Sequence, residues 1–249
     1  MRAFVLGFLL LTAGPATAAD KYVGSVAEVR TIVSFRAADA AVQKLLPEGW
    51  ELDVANSGSA KDVNLIATFL DQLASQDAGG KALNPVRAVT LTIPAKKKGS
   101  DTRGRMVSAI YLSHSAFVPG PYGVNVYADT NMERRVRIDP AGASTVDEVW
   151  QFQASDGNSL QFQIQYVRDV PTPQKYEDLI YSAAKPDFYR IYRIERSVDE
   201  VRGAGFNRVQ KFVIKGFGPK LGALFDGSEQ LIGVTSVPWY TRQTYLPGS

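Results

Sequence analysis

The chain has 249 residues, of which 45% are apolar, 21% charged and 10% aromatic, a composition typical of globular proteins. It contains no cysteine and one histidine, which excludes disulfides, thiolate zinc sites, iron–sulfur clusters, cysteine nucleophiles and sites built from several histidines. The 28 Lys+Arg and 25 Asp+Glu leave a formal charge of +3. This basic excess is too small to indicate a nucleic-acid partner.

The N-terminal sequence predicts a secretory signal peptide over 1–19. Arg2 precedes an apolar run over 3–11, and small residues follow a Gly-Pro break. A membrane span needs about 20 apolar residues, so this run is too short for stable membrane insertion. We therefore expect cleavage after Ala18 or Ala19, a periplasmic or secreted location, and a mature domain over 20–249.

The first half of the mature chain reads as strands separated by turn signals. A helix is expected over 37–46, where apolar residues share one helical face before Pro47. Pro94 is expected to end a strand, and a polar loop follows over 96–101. The apolar runs predict strands over 29–35, 63–70, 86–93, 106–112 and 122–127.

The clearest element is a β-hairpin over 149–154 and 160–166, joined by a Ser-Asp-Gly-Asn turn. In its second strand, apolar residues alternate with glutamines, so one face is expected to be buried and the other exposed. Further strands are predicted over 189–196, 208–215 and 231–237, with a short helix over 219–225. These elements predict a mainly β (α+β) fold, a single antiparallel β domain with few short helices.

Two segments of the chain resemble the opening of the acetoacetate decarboxylase family. They are Ile32 to Asp39 (IVSFRAAD) and Leu45 to Gly49 (LLPEG), a strand leading into a short helix that closes on Leu-Pro. Later elements follow a similar order, and the likeness covers roughly half to two thirds of the chain after residue 19. The resemblance implies an antiparallel β fold whose closed barrel encloses a pocket.

The resemblance does not extend to the family's reactive lysine. Family decarboxylases carry a Pro-Lys-Lys run after a tyrosine, and one of these lysines forms a Schiff base with the keto acid. Here Tyr127 is followed by Ala128, Asp129 and Thr130. An aspartate cannot form an imine, although it can bind a cation or act as a base. Asp129 is therefore the candidate catalytic group that replaces the lysine.

Four further residues are candidates for ligand binding: Arg36, Tyr127, Arg135 and Glu148. Glu148 lies at the start of the hairpin on its apolar face, which is an unusual place for a carboxylate. Arg135 shares a strand face with a second arginine, and two guanidiniums could hold a carboxylate. A solvated edge strand is the alternative explanation of that charged run.

A lysine-dependent mechanism stays open as an alternative, with Lys97 as its candidate. It lies in a run of three lysines over 96–98, whose mutual repulsion would lower a pKa. The polar loop around the run favours exposed side chains, for which this repulsion is screened.

The sequence thus predicts an exported pocket protein that binds or transforms a small organic acid or keto compound without Schiff-base decarboxylation. The first alternative is a lysine-dependent decarboxylase or aldolase-type lyase acting on a keto acid. The second is a structural, oligomeric envelope protein whose aromatic tail, with Trp239 and Tyr240, makes subunit contacts. No cofactor and no metal are expected, and the expected partners are a small organic ligand and further copies of the chain.

Overall fold

The computed structural model describes residues 19–248. The predicted signal peptide therefore lies outside the described residues, apart from Ala19. Within the described range, no helix is both long and apolar enough to cross a membrane.

The described chain is mostly β-structure. The helices are α1 (Asp39–Gln43) and α2 (Leu221–Leu224), and a 3₁₀ turn covers Ser115–Phe117. The strands are β1 (Lys21–Arg36), β2 (Trp50–Leu52), β3 (Leu65–Asp77), β4 (Arg87–Lys97), β5 (Arg103–Leu112), β6 (Asn125–Ile138), β7 (Ser144–Ala154), β8 (Ser159–Val167), β9 (Thr172–Ser182), β10 (Tyr189–Gly203), β11 (Phe206–Asn207), β12 (Val209–Phe217) and β13 (Gln230–Leu246).

Seven of these strands pair in a ring. Strand β5 pairs with β4 along one edge and with β9 along the other. The pairings continue from β9 through β10, β13, β1 and β3, and return to β4. All of them are antiparallel except the short β5–β9 contact. Because side chains alternate across a strand, every second residue of each ring strand points inward.

A second layer packs against the ring. Strand β6 pairs with β5 as far as Tyr127 and then continues into an antiparallel sheet with β7, β8 and β12. The buried aromatic side chains of this second sheet contact Phe69 of β3, whose ring stacks on that of Phe162 of β8 at a centroid distance of 3.9 Å. Trp150 and Phe152 pack against the same phenylalanine. The main hydrophobic core thus lies between this sheet and the outside of the ring.

The structure confirms the mainly β architecture with few short helices and the hairpin, which is formed by β7 and β8. Pro94 does not end its strand, contrary to the sequence-based expectation. Pairing of β4 with β3 stops at Thr92, and pairing with β2 begins at Ala95. Pro94 lies in the gap between these partners, so its missing N–H disrupts no hydrogen bond on that side.

Other boundaries also differ from those expected. Strand β9 was not predicted, and β1 begins at Lys21 rather than near residue 29. Strand β13 continues to Leu246, so the aromatic tail is part of the ring.

Candidate ligand cavity

The interior of the seven-strand ring contains a cavity of about 200 Å³. Apolar side chains form much of its wall, and ionisable side chains project into it from five of the seven strands. Strand β10 illustrates how the sequence places them, because its alternate residues Arg190, Tyr192, Ile194 and Arg196 line the cavity. Arg193, between them, points outward and pairs with Glu177.

The charged lining is dominated by arginine, and no lysine lines the cavity in the described part of the chain. Its carboxylates are Glu28 and Asp178, and its tyrosines are Tyr122, Tyr176, Tyr192 and Tyr240. Its arginines are Arg30, Arg105, Arg190, Arg196 and Arg242. Five guanidiniums against two carboxylates leave three cationic groups in excess.

Both carboxylates are held by arginines. Glu28 is 1% exposed, and its Oε2 accepts a hydrogen bond from Arg30 Nε at 2.6 Å. Burial alone would raise the pKa of Glu28, but the charges of Arg30 and Arg242 and the hydrogen bonds from Arg30 and Gln72 outweigh it and lower the pKa. Glu28 is therefore ionised at neutral pH. Asp178 forms an ion pair with Arg105.

Four of the arginines stack on cavity tyrosines, which fixes the orientation of their guanidiniums. The distances from guanidinium carbon to ring centroid are 3.5 Å for Arg30 and Tyr240, 4.1 Å for Arg242 and Tyr192, 4.9 Å for Arg196 and Tyr176, and 5.8 Å for Arg190 and Tyr122.

Several polar atoms in this cluster of arginines and tyrosines have no hydrogen-bond partner among the described residues. The Nε atoms of Arg190 and Arg242 and the hydroxyl of Tyr240 are buried without a hydrogen-bond partner among residues 19–248. Burial raises the pKa of Tyr122 and of Tyr240, so both phenols are protonated at neutral pH. The Tyr122 hydroxyl donates to the Tyr192 hydroxyl at 2.6 Å, whereas the proton of Tyr240 is available to a ligand. Buried guanidiniums with free donors are suited to an anionic ligand, because an unpaired buried charge is costly.

The residues predicted from the sequence lie elsewhere. Arg36 forms a surface ion pair with Asp39 at 2.6 Å. The Tyr127 hydroxyl donates to Asp129 Oδ1 at 2.5 Å, and Asp129 borders an open depression on the exposed face of the second sheet. Arg135 is exposed and pairs with Glu133, consistent with the solvated charged run.

Glu148 is buried between the ring and the second sheet. Its carboxylate accepts hydrogen bonds from Thr31 Oγ1 at 2.9 and 3.0 Å, Arg134 Nε at 3.1 Å and Trp150 Nε1 at 3.1 Å. With three side chains bound, this carboxylate links the two layers of the fold.

Lys97 is 48% exposed and lies 3.6 Å from Asp187 Oδ1. None of the six residues named from the sequence lines the ring cavity. The predicted site therefore stays a prediction that the cavity geometry does not support.

The two tail aromatics face opposite sides of β13. Trp239 is 48% exposed on the outside of the ring, and Tyr240 is buried in the cavity. A larger open groove of about 870 Å³ runs across the outer face of the ring. Its outward-facing charged side chains pair with one another, as in Lys175–Glu195 and Arg193–Glu177. The ring cavity is the better candidate site because its cationic groups are in excess.

No protein-family model and no curated protein matches the sequence. Solved structures do match the fold. The enduracididine biosynthesis enzyme MppR complexed with pyruvate aligns over 99% of this chain and 98% of its own, with 13% identity and a TM-score of 0.55. An acetoacetate decarboxylase-like enzyme from Sphingomonas wittichii aligns over 96% of each chain, with 13% identity and a TM-score of 0.54.

Acetoacetate decarboxylase from Legionella pneumophila aligns over 96% of this chain and 92% of its own, with 14% identity and a TM-score of 0.51. At such low identity these similarities concern the fold, and they extend over nearly the whole of each protein. The chain therefore has the acetoacetate decarboxylase-like fold that its sequence predicted.

Proposed function

We propose that the ring cavity binds a small organic acid non-covalently and that the protein does not use Schiff-base chemistry. The observation that carries this proposal is the lining, in which five arginines and no lysine face the cavity among the described residues. A guanidinium binds carboxylates well but cannot form an imine with a ketone.

The tyrosines extend the proposal toward keto acids. A protonated phenol donates a hydrogen bond to a carbonyl oxygen and polarises it. Tyr240 offers an unpartnered hydroxyl next to Arg30 and Arg242, so a carboxylate and a neighbouring carbonyl group would both find donors. The fold neighbour MppR, which was crystallised with pyruvate, is in keeping with a ligand of this class.

The test combines borohydride trapping with thermal stabilisation. Pyruvate and acetoacetate are expected to raise the Tm of the protein without leaving a reduced adduct in its intact mass. At a ligand concentration of 100 Kd the stabilisation is about 2.7 kcal/mol, or roughly 5 to 11 °C for a chain of this size. Arg242→Gln is expected to remove most of the shift, and the surface variant Arg193→Gln to keep it.

Two results would reject this proposal. A keto-acid adduct on one lysine, abolished by Lys97→Ala or by another single lysine replacement, would establish the lysine-dependent alternative. Folded protein that is stabilised by neither acid nor by the diacid glutarate, with no adduct, would remove the reason to regard the cavity as an acid-binding site.

Export is also part of the proposal, and the N-terminal sequence supports it. Cleavage after Ala18 or Ala19 would leave β1 intact, because that strand begins at Lys21. Intact mass of the protein from the periplasm of an expressing bacterium is expected to correspond to a chain that begins at Ala19 or Asp20. A full-length mass with the protein in the cytoplasm would contradict it.

A further inference from the structure

A second space, the vestibule, shares lining residues with the ring cavity at one end. This vestibule has a volume of about 280 Å³, and it is bordered by the first residues of β1 and by Phe117 and Pro121 of the β5–β6 connection. Arg190 and Arg242 line both the vestibule and the cavity. These two guanidiniums therefore lie where the two spaces meet.

The other three cavity arginines, Arg30, Arg105 and Arg196, do not line the vestibule. Arg196 is six residues from Arg190 along β10, and Arg242 of β13 lies opposite Ile194, between them. Arg196 and Arg242 are thus offset by two residues, or roughly 7 Å along the strands. Positive charge thus extends along the cavity from Arg190 through Arg242 to Arg196, and an apolar wall that includes Ile194 lines the same stretch.

Cavity carboxylates neutralise only part of the positive charge of Arg30, Arg105 and Arg196, the three arginines away from the vestibule. Arg30 pairs with Glu28, whose charge also attracts Arg242, and Arg105 pairs with Asp178. Among residues 19–248, Arg196 donates only to the neutral side chain of Gln174. At the vestibule end, Arg190 and Arg242 each keep a buried Nε to which the described part of the chain offers no partner. A single carboxylate at the vestibule would leave Arg196 without an anion, and one beside Arg196 would leave Arg190 and Arg242 in excess.

The cavity size sets the length of the ligand. A cavity of about 150 Å³ accommodates benzene, which has six non-hydrogen atoms. The ring cavity of about 200 Å³ would by the same measure hold roughly eight such atoms, before any use of the vestibule. A four- or five-carbon diacid has this size, whereas pyruvate is smaller.

We propose that the cavity selects acids with two anionic groups, one held by Arg190 and Arg242 at the vestibule and the other by the cationic group around Arg196. This inference rests on the proposed acid-binding function and adds the ligand class. The two carboxylates of such an acid offset two of the three excess cations, and its methylene carbons contact the apolar wall between them.

The test compares acids of equal chain length that differ only in the second carboxylate. Glutarate is matched with valerate, and 2-oxoglutarate with 2-oxovalerate, by calorimetry at constant pH and ionic strength. We expect each diacid to bind at least tenfold more tightly than its monoacid. Equal affinities would overturn the preference for dianions while leaving acid binding intact, and binding of none of the four acids would overturn both.

Variants show whether the selectivity comes from these arginines. Arg190→Gln and, separately, Arg196→Gln are expected to reduce the diacid-to-monoacid affinity ratio toward one. A variant that is merely less well folded would weaken both acids alike and leave the ratio unchanged. Arg193→Gln, on the outer face of the same strand, is the matched control and is expected to keep the ratio. An unchanged ratio in both cavity variants would refute the assignment.

Discussion

Replacing Glu148 with glutamine tests whether this carboxylate links the two layers of the fold. Glu148 is 1% exposed and accepts hydrogen bonds from Thr31, Arg134 and Trp150. Glutamine keeps the shape but removes the charge opposite Arg134, whose remaining carboxylate partner is Asp71 at 3.4 Å. Breaking one side of a buried ion pair costs about 3 to 5 kcal/mol.

That cost corresponds to a decrease in Tm of roughly 6 to 20 °C for a chain of this length. Thermal unfolding followed by circular dichroism measures it, and Glu133→Gln is the matched control. Glu133 is 56% exposed in a surface pair with Arg135, so its replacement is expected to cost about 0 to 1 kcal/mol. Acid affinity of the folded Glu148 variant should be unchanged. A stable Glu148 variant that no longer binds acids would refute the structural role and restore the ligand-binding one.

Three further predictions concern other buried or exposed groups. The pKa of Glu28 is lowered from its ordinary value of 4.5, so its ionised carboxylate stabilises the folded protein above that pH. This contribution is lost as the pH falls through the lower pKa of the folded state. The urea midpoints of Glu28→Gln and the wild type should therefore differ at pH 7 and converge in acid. An equal difference at both pH values would contradict this assignment. Burial raises the pKa of Tyr166 to about 12, and its hydroxyl donates to Ser236 Oγ at 2.9 Å. Tyr166→Phe is expected to cost about 1 to 3 kcal/mol in urea unfolding, and adding Ser236→Ala should recover part of the loss; strict additivity would argue against the bond. If exposed Trp239 makes subunit contacts, Trp239→Ala should shift sedimentation toward smaller species, and an unchanged distribution would reject that role.

The sequence predicted best those elements in which one face is apolar and the other polar. The β7–β8 hairpin is such a case, because buried Leu160, Phe162 and Ile164 alternate with glutamines. Its register follows from that period, since a shift by one residue would bury the glutamines. The segment Ile32 to Asp39, which resembles the decarboxylase family, likewise forms the end of a strand and the start of a short helix.

The cavity could not be predicted in the same way because charged side chains are mixed with apolar ones on the inward faces of its strands. Strand β9 directs Tyr176, Asp178 and Ile180 inward, while Lys175 and Glu177 face outward, so both faces carry charge and no apolar alternation marks the strand. This strand was consequently missed.

The cluster of cavity arginines and tyrosines depends on pairing between strands that lie far apart in the sequence, such as β1 with Arg30 and β13 with Tyr240. In the sequence, these cavity residues are marked only by polar residues at every second position, as in Glu28–Arg30 and Tyr240–Arg242. Such pairs also occur on exposed strands, so the sequence alone does not assign them to a cavity.

The most direct test of acid binding in the ring is a crystal structure with 2-oxoglutarate. Density for the acid is expected inside the ring, with its carboxylates within about 3 Å of Arg242 and Arg196 and no covalent link to any lysine. Density continuous with a lysine Nζ, or an acid bound only outside the ring with the cavity filled by water, would contradict non-covalent acid binding in the ring.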